Sequence, residues 1–72
     1  MKPEVVFICV LWDRLANAGI KVTYHPTLLD AIQYVGQVEP GIQMRIYNGQ
    51  LHWEEGYTEL ATVRSEIRWS IA

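Results

Sequence analysis

An asparagine-glycine pair, Asn48-Gly49, is the feature that most narrowly restricts how this chain can fold. It lies between two segments of alternating polarity, residues 42–47 and 50–55. Asn-Gly is the preferred loop of a type I′ β-hairpin, because both central residues of that turn need a positive φ. A two-residue loop also sets the register: Tyr47 pairs with Gln50, and the apolar side chains of both segments share one face. The sequence therefore predicts an antiparallel hairpin with one apolar and one polar face.

A strand and a helix are predicted immediately before this hairpin. Residues 20–25 alternate strictly between apolar and polar side chains, which is typical of a half-buried strand. Pro26 ends the strand, and Thr27 with Asp30 three residues later forms the capping pattern of a helix N-terminus. The helix ends at the segment 39–41, Glu-Pro-Gly. The side chains expected on its buried face are Leu28, Leu29, Ile32 and Val35.

The N-terminal segment allows two interpretations. Pro3 and Glu4 suit the first turn of a helix and Gly19 its end, which favours one helix over residues 4–18. At about 100° per residue, one face of that helix would carry Phe7, Ile8, Leu11, Leu15 and Ala18. The alternative is a fourth, central strand over residues 4–11, since the Val-Val-Phe-Ile-Cys-Val run has strong β propensity.

A third helix is predicted at the C-terminus, beginning at Thr58 as N-cap. Its inner stripe would be Leu60, Val63, Ile67 and Ile71. The predicted fold is thus an α+β domain in the order α-β-α-β-β-α. It has a small, mainly antiparallel three-stranded sheet with the helices packed on one face.

The short chain offers few ways to stabilise such a fold. Its 72 residues make a single domain, 1–72, and a core of that size typically supplies only about 3–5 kcal/mol. The lone cysteine, Cys9, excludes an internal disulfide and favours a reducing compartment, the cytoplasm. No spacing of His25, His52 and Cys9 matches a metal motif, so neither a metal nor another cofactor is expected. The apolar run around Cys9 is too short for a membrane helix.

Surplus apolar surface suggests binding to another protein. In the helical interpretation, Val6, Cys9 and Val10 lie opposite the main stripe, so this helix needs a second partner surface, most simply a second copy of the chain. In the strand interpretation, the same residues are buried within the domain, as expected for Cys9 as a small hydrophobe. Trp69 falls on the polar side of the predicted last helix, where a large aromatic residue is typical of an interface. The acidic residues expected beside it are Glu55, Glu59 and Glu66.

Function is predicted on this basis to be non-enzymatic. No residue pattern combines a nucleophile, a base and an orienting carboxylate. We expect a self-associating protein-binding module, an inhibitor or regulator that occludes a partner protein, similar in size and charge to phage or mobile-element inhibitors. The alternative is a nucleic-acid-binding regulator that uses the polar face of the sheet, although the net charge of −2 argues against this partner. That face would present Lys21, His25, Arg45, Tyr47 and His52.

Overall fold

The computed structural model describes residues 1–14 and 19–70, with the side chain of Ser70 left aside. One antiparallel sheet of five strands and one helix make up these residues. Along the sheet the strands lie in the order β2-β1-β5-β4-β3. The elements are β1 (Lys2–Asp13), β2 (Gly19–His25), α1 (Leu28–Val38), β3 (Met44–Tyr47), β4 (Gln50–Glu55) and β5 (Thr58–Ser70).

The central hairpin and its register are confirmed. Strands β3 and β4 pair Tyr47 with Gln50 and Met44 with Trp53. Asn48 and Gly49 join them with φ angles of 52° and 73°, as a type I′ turn requires. The predicted strand before Pro26 is confirmed as β2.

The predicted helix is also confirmed, but part of its buried face is different. Thr27 has an extended backbone, and its hydroxyl accepts a hydrogen bond from the Asp30 N–H at 3.1 Å. The buried helical residues are Ala31 and Val35, with Ile32 partly buried. Leu28 and Leu29, which were expected inside, are exposed on the first turn.

Removing this cap gives a direct stability test. Replacing Thr27 with alanine leaves the Asp30 N–H without its acceptor and is expected to lower the free energy of unfolding by about 1 kcal/mol. Urea denaturation followed by tryptophan fluorescence measures the change. Thr58→Ala is the matched control, because Thr58 is exposed at the start of a strand and caps no helix. Equal losses in the two variants would contradict the capping role.

The predicted N-terminal helix is wrong, and the strand interpretation of residues 4–11 agrees with the structure. Strand β1 pairs with β2 on one side and with β5 on the other. Its middle is shielded on both faces: Cys9 and Leu11 are buried on one face, and Ile8 on the other. A run of β-branched and aromatic residues suits a strand that pairs with a neighbour on each edge better than a helix with one apolar stripe. Leu15 and Ala18, which completed the predicted helical stripe, lie outside the described residues.

The predicted C-terminal helix is also wrong, since Thr58–Ser70 forms β5, the middle strand of the sheet. In the predicted inner stripe, Leu60, Val63 and Ile67 have the spacing of a helix because of a local irregularity in the strand, and Ile71 lies outside the described residues. A register shift opposite Trp53 and Glu54 leaves Leu60 outside the regular alternation, although it is fully buried. The fold is therefore a five-stranded antiparallel sheet with one helix, and not a three-stranded sheet with three helices.

The sheet has two different faces. On the first, which we call the helix face, one row of neighbouring residues crosses all five strands: Thr23, Cys9, Val63, Leu51 and Ile46. Helix α1 packs on this face, and Ala31 and Val35 join Leu11, Trp53 and Ala61 in the core. The second, which we call the open face, has the row Val22, Val10, Thr62, His52 and Arg45. Among the described residues, the only helix lies on the helix face.

One ion cluster ties the ends of three elements together. Arg14, just after β1, donates two hydrogen bonds to the buried carboxylate of Glu39, at 2.9 and 3.2 Å. Glu39 forms the C-cap of α1. The same guanidinium also reaches Glu55, the last residue of β4, at 3.2 Å. Arg14 lowers the pKa of the Glu55 carboxyl below its ordinary value by hydrogen bonding and by charge.

Candidate protein-binding surface

The open face is apolar on one half and polar on the other. The apolar half consists of β2 and the adjoining part of β1, and the polar half consists of β5, β4 and β3. Five side chains of the apolar half define what we call the open-face patch: Val10, Trp12, Ile20, Val22 and Tyr24. They share one face because β1 and β2 pair Val10 with Val22 and Trp12 with Ile20, with Tyr24 the next inward position opposite buried Ile8.

Most side chains of this patch are exposed to solvent, although they are apolar. Ile20 is 64% exposed, Val22 52% and Tyr24 56%. Trp12 is also exposed, while Val10 is half-buried between its neighbours. Single exposed apolar residues are common on proteins, whereas contiguous apolar patches mark interaction sites. At one end, the guanidinium of Arg68 lies 5.1 Å from the centre of the Tyr24 ring, which gives the patch a cationic border.

Strand β2 also has an open main-chain edge. It lies at the edge of the sheet, so among the described residues only β1 pairs with it. Its one charged residue, Lys21, makes an ion pair with Asp13 of β1 at 3.4 Å. The opposite edge strand, β3, has only four residues and carries Arg45, whose guanidinium is largely exposed and lies 4.0 Å from Glu54. Short and charged edges discourage strand pairing, and long, apolar edges permit it, so β2 is the edge that favours a partner strand.

The long ends of β1 and β5 form a ribbon that is less suited to strand pairing. Lys2–Val6 of β1 pair with Glu66–Ser70 of β5, beyond the ends of β2 and β4. Charged residues are frequent along this ribbon: Lys2, Glu4, Glu66 and Arg68. Trp69 is exposed there and pairs with Pro3 on the helix face.

The polar half of the open face contains a closely packed group around His52. The rings of Tyr47 and His52 are stacked, with centroids 3.7 Å apart and planes inclined by 7°. The Tyr47 hydroxyl donates a hydrogen bond to Glu54 at 3.0 Å. Partial burial and the Glu54 carboxylate raise the pKa of Tyr47, so the phenol stays protonated. The buried Nδ1 of His52 lies 3.4 Å from a Glu59 oxygen without forming a hydrogen bond.

The second histidine fastens the helix to the sheet. His25 Nδ1 lies 2.8 Å from a carboxylate oxygen of Asp30 in α1, and its Nε2 lies 2.8 Å from the Thr23 hydroxyl. The Tyr34 ring packs beside the imidazole, 5.1 Å away between centroids. Cys9 contacts Thr23 from the core, where burial raises the pKa of its thiol. The described residues form no pocket beside this group, and its hydrogen bonds connect β2 with α1.

The residues predicted to form a protein interface lie at several separate places. Val6 and Val10 are half-buried on the open face, where Val6 pairs with Glu66. Cys9 is fully buried in the core between the sheet and α1 and is not on the surface of the described domain. Trp69 is exposed, but it lies on the opposite face of the ribbon from Val6. Glu55 is bound by Arg14, and Glu59 lies beside His52.

The polar sheet face predicted to bind nucleic acid does not exist as one surface. Lys21 and His25 lie on the helix face, because they belong to the same side of β2 as Thr23. Arg45, Tyr47 and His52 lie on the open face. The five residues are thus divided between the two sides of the sheet.

The sequence places the β2 residues of the patch on one face of a strand but does not predict that this face is exposed. The alternation of residues 20–25 separates Ile20, Val22 and Tyr24 from their polar neighbours. A polar face that carries Lys21 and His25 beside Arg45 and His52 would place this apolar side under the predicted helices. In the structure, Val22 instead shares a row with Arg45, which faces away from α1.

Comparisons of the chain with protein-family models, curated proteins and solved structures give no match. In the part of the chain that the structure describes, no helix is long and apolar enough to cross a membrane. In the same part, no group of three or more potential ligand side chains could hold a metal ion.

Proposed function

We propose that this protein is a binding module whose β2 edge accepts an extended segment of another protein molecule as a sixth strand. The observation that carries this proposal is the coincidence of two features on β2. It has an open main-chain edge, and its side chains Ile20, Val22 and Tyr24 are exposed in one line on the open face. Such a module acts by occupying its partner, as an inhibitor or regulator does, without chemistry of its own.

Strand addition uses both features of β2. An added strand pairs with main-chain N–H and C=O groups, and its alternate side chains contact the neighbours on the same face. Ile20, Val22 and Tyr24 repeat every second residue, about 7 Å apart, so an apolar side chain at every second position of the added strand meets them. Trp12 and Val10 of β1 extend the contact surface inward from the edge.

The partner is therefore an extended segment with alternating apolar and polar residues. The polar half of the open face supports this choice over nucleic acid. Among the described residues of β3 and β4, Tyr47 is the only tyrosine, tryptophan or phenylalanine on this face. Its ring is already stacked on His52, and its hydroxyl is hydrogen-bonded to Glu54, so it offers no free platform for a base. The free, buried thiol of Cys9 supports a reducing compartment, and we place the protein in the cytoplasm.

Binding of a designed peptide tests the proposal directly. The probe is a labelled heptapeptide of alternating valine and threonine. We expect saturable binding, with amide chemical-shift changes concentrated on β2 in NMR spectra of the ¹⁵N-labelled protein. The control peptide has proline at its centre, which removes a main-chain donor and is expected to bind much more weakly.

Two protein variants show whether the site is β2. Val22→Lys places a charge in the middle of the patch and is expected to weaken peptide binding. Ile46→Lys is the matched control, because Ile46 is an exposed apolar residue on the other edge strand, β3. Shift changes on β3 or the ribbon, or no binding of the valine-threonine peptide, would refute the proposal.

A further inference from the structure

We infer that the strand added to β2 is the β2 strand of a second copy of this chain, so that two sheets join into one of ten strands. This inference rests on the proposed function, because it names the partner of the same edge. A closed dimer with two-fold symmetry pairs each surface with itself. The sequence of β2 therefore has to be complementary to its own reverse.

Strand β2 meets this condition when the two-fold axis passes through Val22. In that antiparallel register, Val22 lies opposite the partner's Val22, and Ile20 lies opposite the partner's Tyr24. All the apolar residues of the strand then face apolar residues. Lys21 lies opposite the partner's Thr23, so no two like charges meet directly.

The neighbouring symmetric registers are less favourable. An axis through Lys21 places the two ammonium groups directly opposite each other. An axis through Thr23 places Ile20 opposite the partner's Pro26, which has no N–H to donate, and Lys21 opposite the partner's His25. The self-complementary sequence thus selects the register centred on Val22.

The same register also determines on which side of the joined sheet the two helices and the two open faces lie. Residues that pair across the axis belong to the same face, so both α1 helices lie on one side of the joined sheet. On the other side, the two open-face patches become one apolar surface that spans β1 and β2 of each copy. The dimer covers the apolar edge, and its outermost strands become the two β3 strands, which are short and carry Arg45.

Charged substitutions at Val22, the residue on the proposed two-fold axis, test this inference. Val22→Glu and Val22→Lys each place two like charges opposite each other at the centre of the interface. We expect sedimentation equilibrium, at roughly 1 to 500 µM, to show a reversible dimer for the wild type, as is usual for small interfaces. Each variant alone is expected to raise the dimer dissociation constant roughly tenfold or more. An equimolar mixture of the two is expected to form a heterodimer tighter than either variant with itself, because opposite charges then meet.

Controls separate this effect from unfolding and from other surfaces. Ile46→Glu and Ile46→Lys introduce the same charges on the other edge strand, and they are expected to leave the dimer unchanged. Dispersed ¹⁵N NMR spectra verify that each variant is folded. A dimer that is insensitive to both Val22 variants, or a mixture no tighter than its components, would overturn the inference.

The outcome also separates the inference from the function on which it rests. A monomeric wild type that still binds the valine-threonine peptide along β2 refutes the second copy as partner and leaves strand addition supported. A monomeric wild type that does not bind the peptide refutes both. A dimer that behaves as expected, with the valine-threonine peptide binding along β2 to the monomer present at low protein concentration, supports both.

Discussion

Replacing Leu11 with alanine is expected to unfold a large fraction of this protein at room temperature, even without denaturant. Leu11 is 1% exposed and lies on the helix face, in the core cluster with Val35 and Trp53. Two of the core residues around it, Ala31 and Ala61, have no side-chain rotamers with which to fill the space. A cavity that cannot collapse makes a leucine-to-alanine change cost about 3–5 kcal/mol, which is comparable to the whole stability of a domain of this size.

Urea denaturation and near-ultraviolet circular dichroism measure this loss. Leu29→Ala is the matched control, since it deletes the same atoms from a leucine that is 63% exposed on α1. Its free energy of unfolding is expected to change by no more than about 0.5 kcal/mol. Similar denaturation midpoints for the two variants would mean that Leu11 is not at the centre of the core.

The elements that could be predicted from the sequence are those formed by contacts between near neighbours. The turn at Asn48-Gly49 fixes its hairpin through the conformation of two adjacent residues. Thr27 and Asp30 fix the start of α1 through one hydrogen bond over three residues. In each case the sequence signal and the structure that it determines lie within a few consecutive residues.

The two long strands could not be predicted in the same way. Strand β5 follows a hairpin but finds its second neighbour, β1, at the other end of the chain, where Lys2 pairs with Ser70. Within 58–70, the spacing of Leu60, Val63 and Ile67 fits a helix as well as it fits an irregular strand. The pairing with β1 and β4 decides between them, and this pairing has no local signature.

The open-face patch depends on the same long-range pairing. Alternation shows that Ile20, Val22 and Tyr24 share a side, but not which side of the sheet it is. That side is determined by the registers of three successive strand pairs, from β2 through β1 and β5 to β4. A shift of one residue in any of them would place Val22 under α1, so the candidate site becomes visible only in the assembled sheet.

Replacing Arg14 with methionine is expected to destabilise the protein, and adding Glu39→Met to that variant is expected to restore most of the loss. Glu39 is 5% exposed and accepts its two side-chain hydrogen bonds from Arg14. Without the guanidinium, the Glu39 carboxylate remains buried without that partner, which costs about 2 kcal/mol or more. Methionine at both positions removes the uncompensated charge, and apolar replacements of buried pairs are often close to neutral.

Urea denaturation of the two single variants and the double variant at neutral pH gives the coupling between the positions. Arg45→Met is the matched control: the Arg45 guanidinium is largely exposed, 4.0 Å from Glu54, so its loss is expected to change stability by less than about 1 kcal/mol. Because hydrogen bonding and charge from Arg14 hold the pKa of Glu55 below its ordinary value, the Glu55 contribution is present above that ordinary value and is lost as the pH falls through the lower folded value. The wild-type advantage over Arg14→Met should therefore narrow in acid. A double variant less stable than Arg14→Met would show that the carboxylate of Glu39 stabilises the fold through contacts other than Arg14.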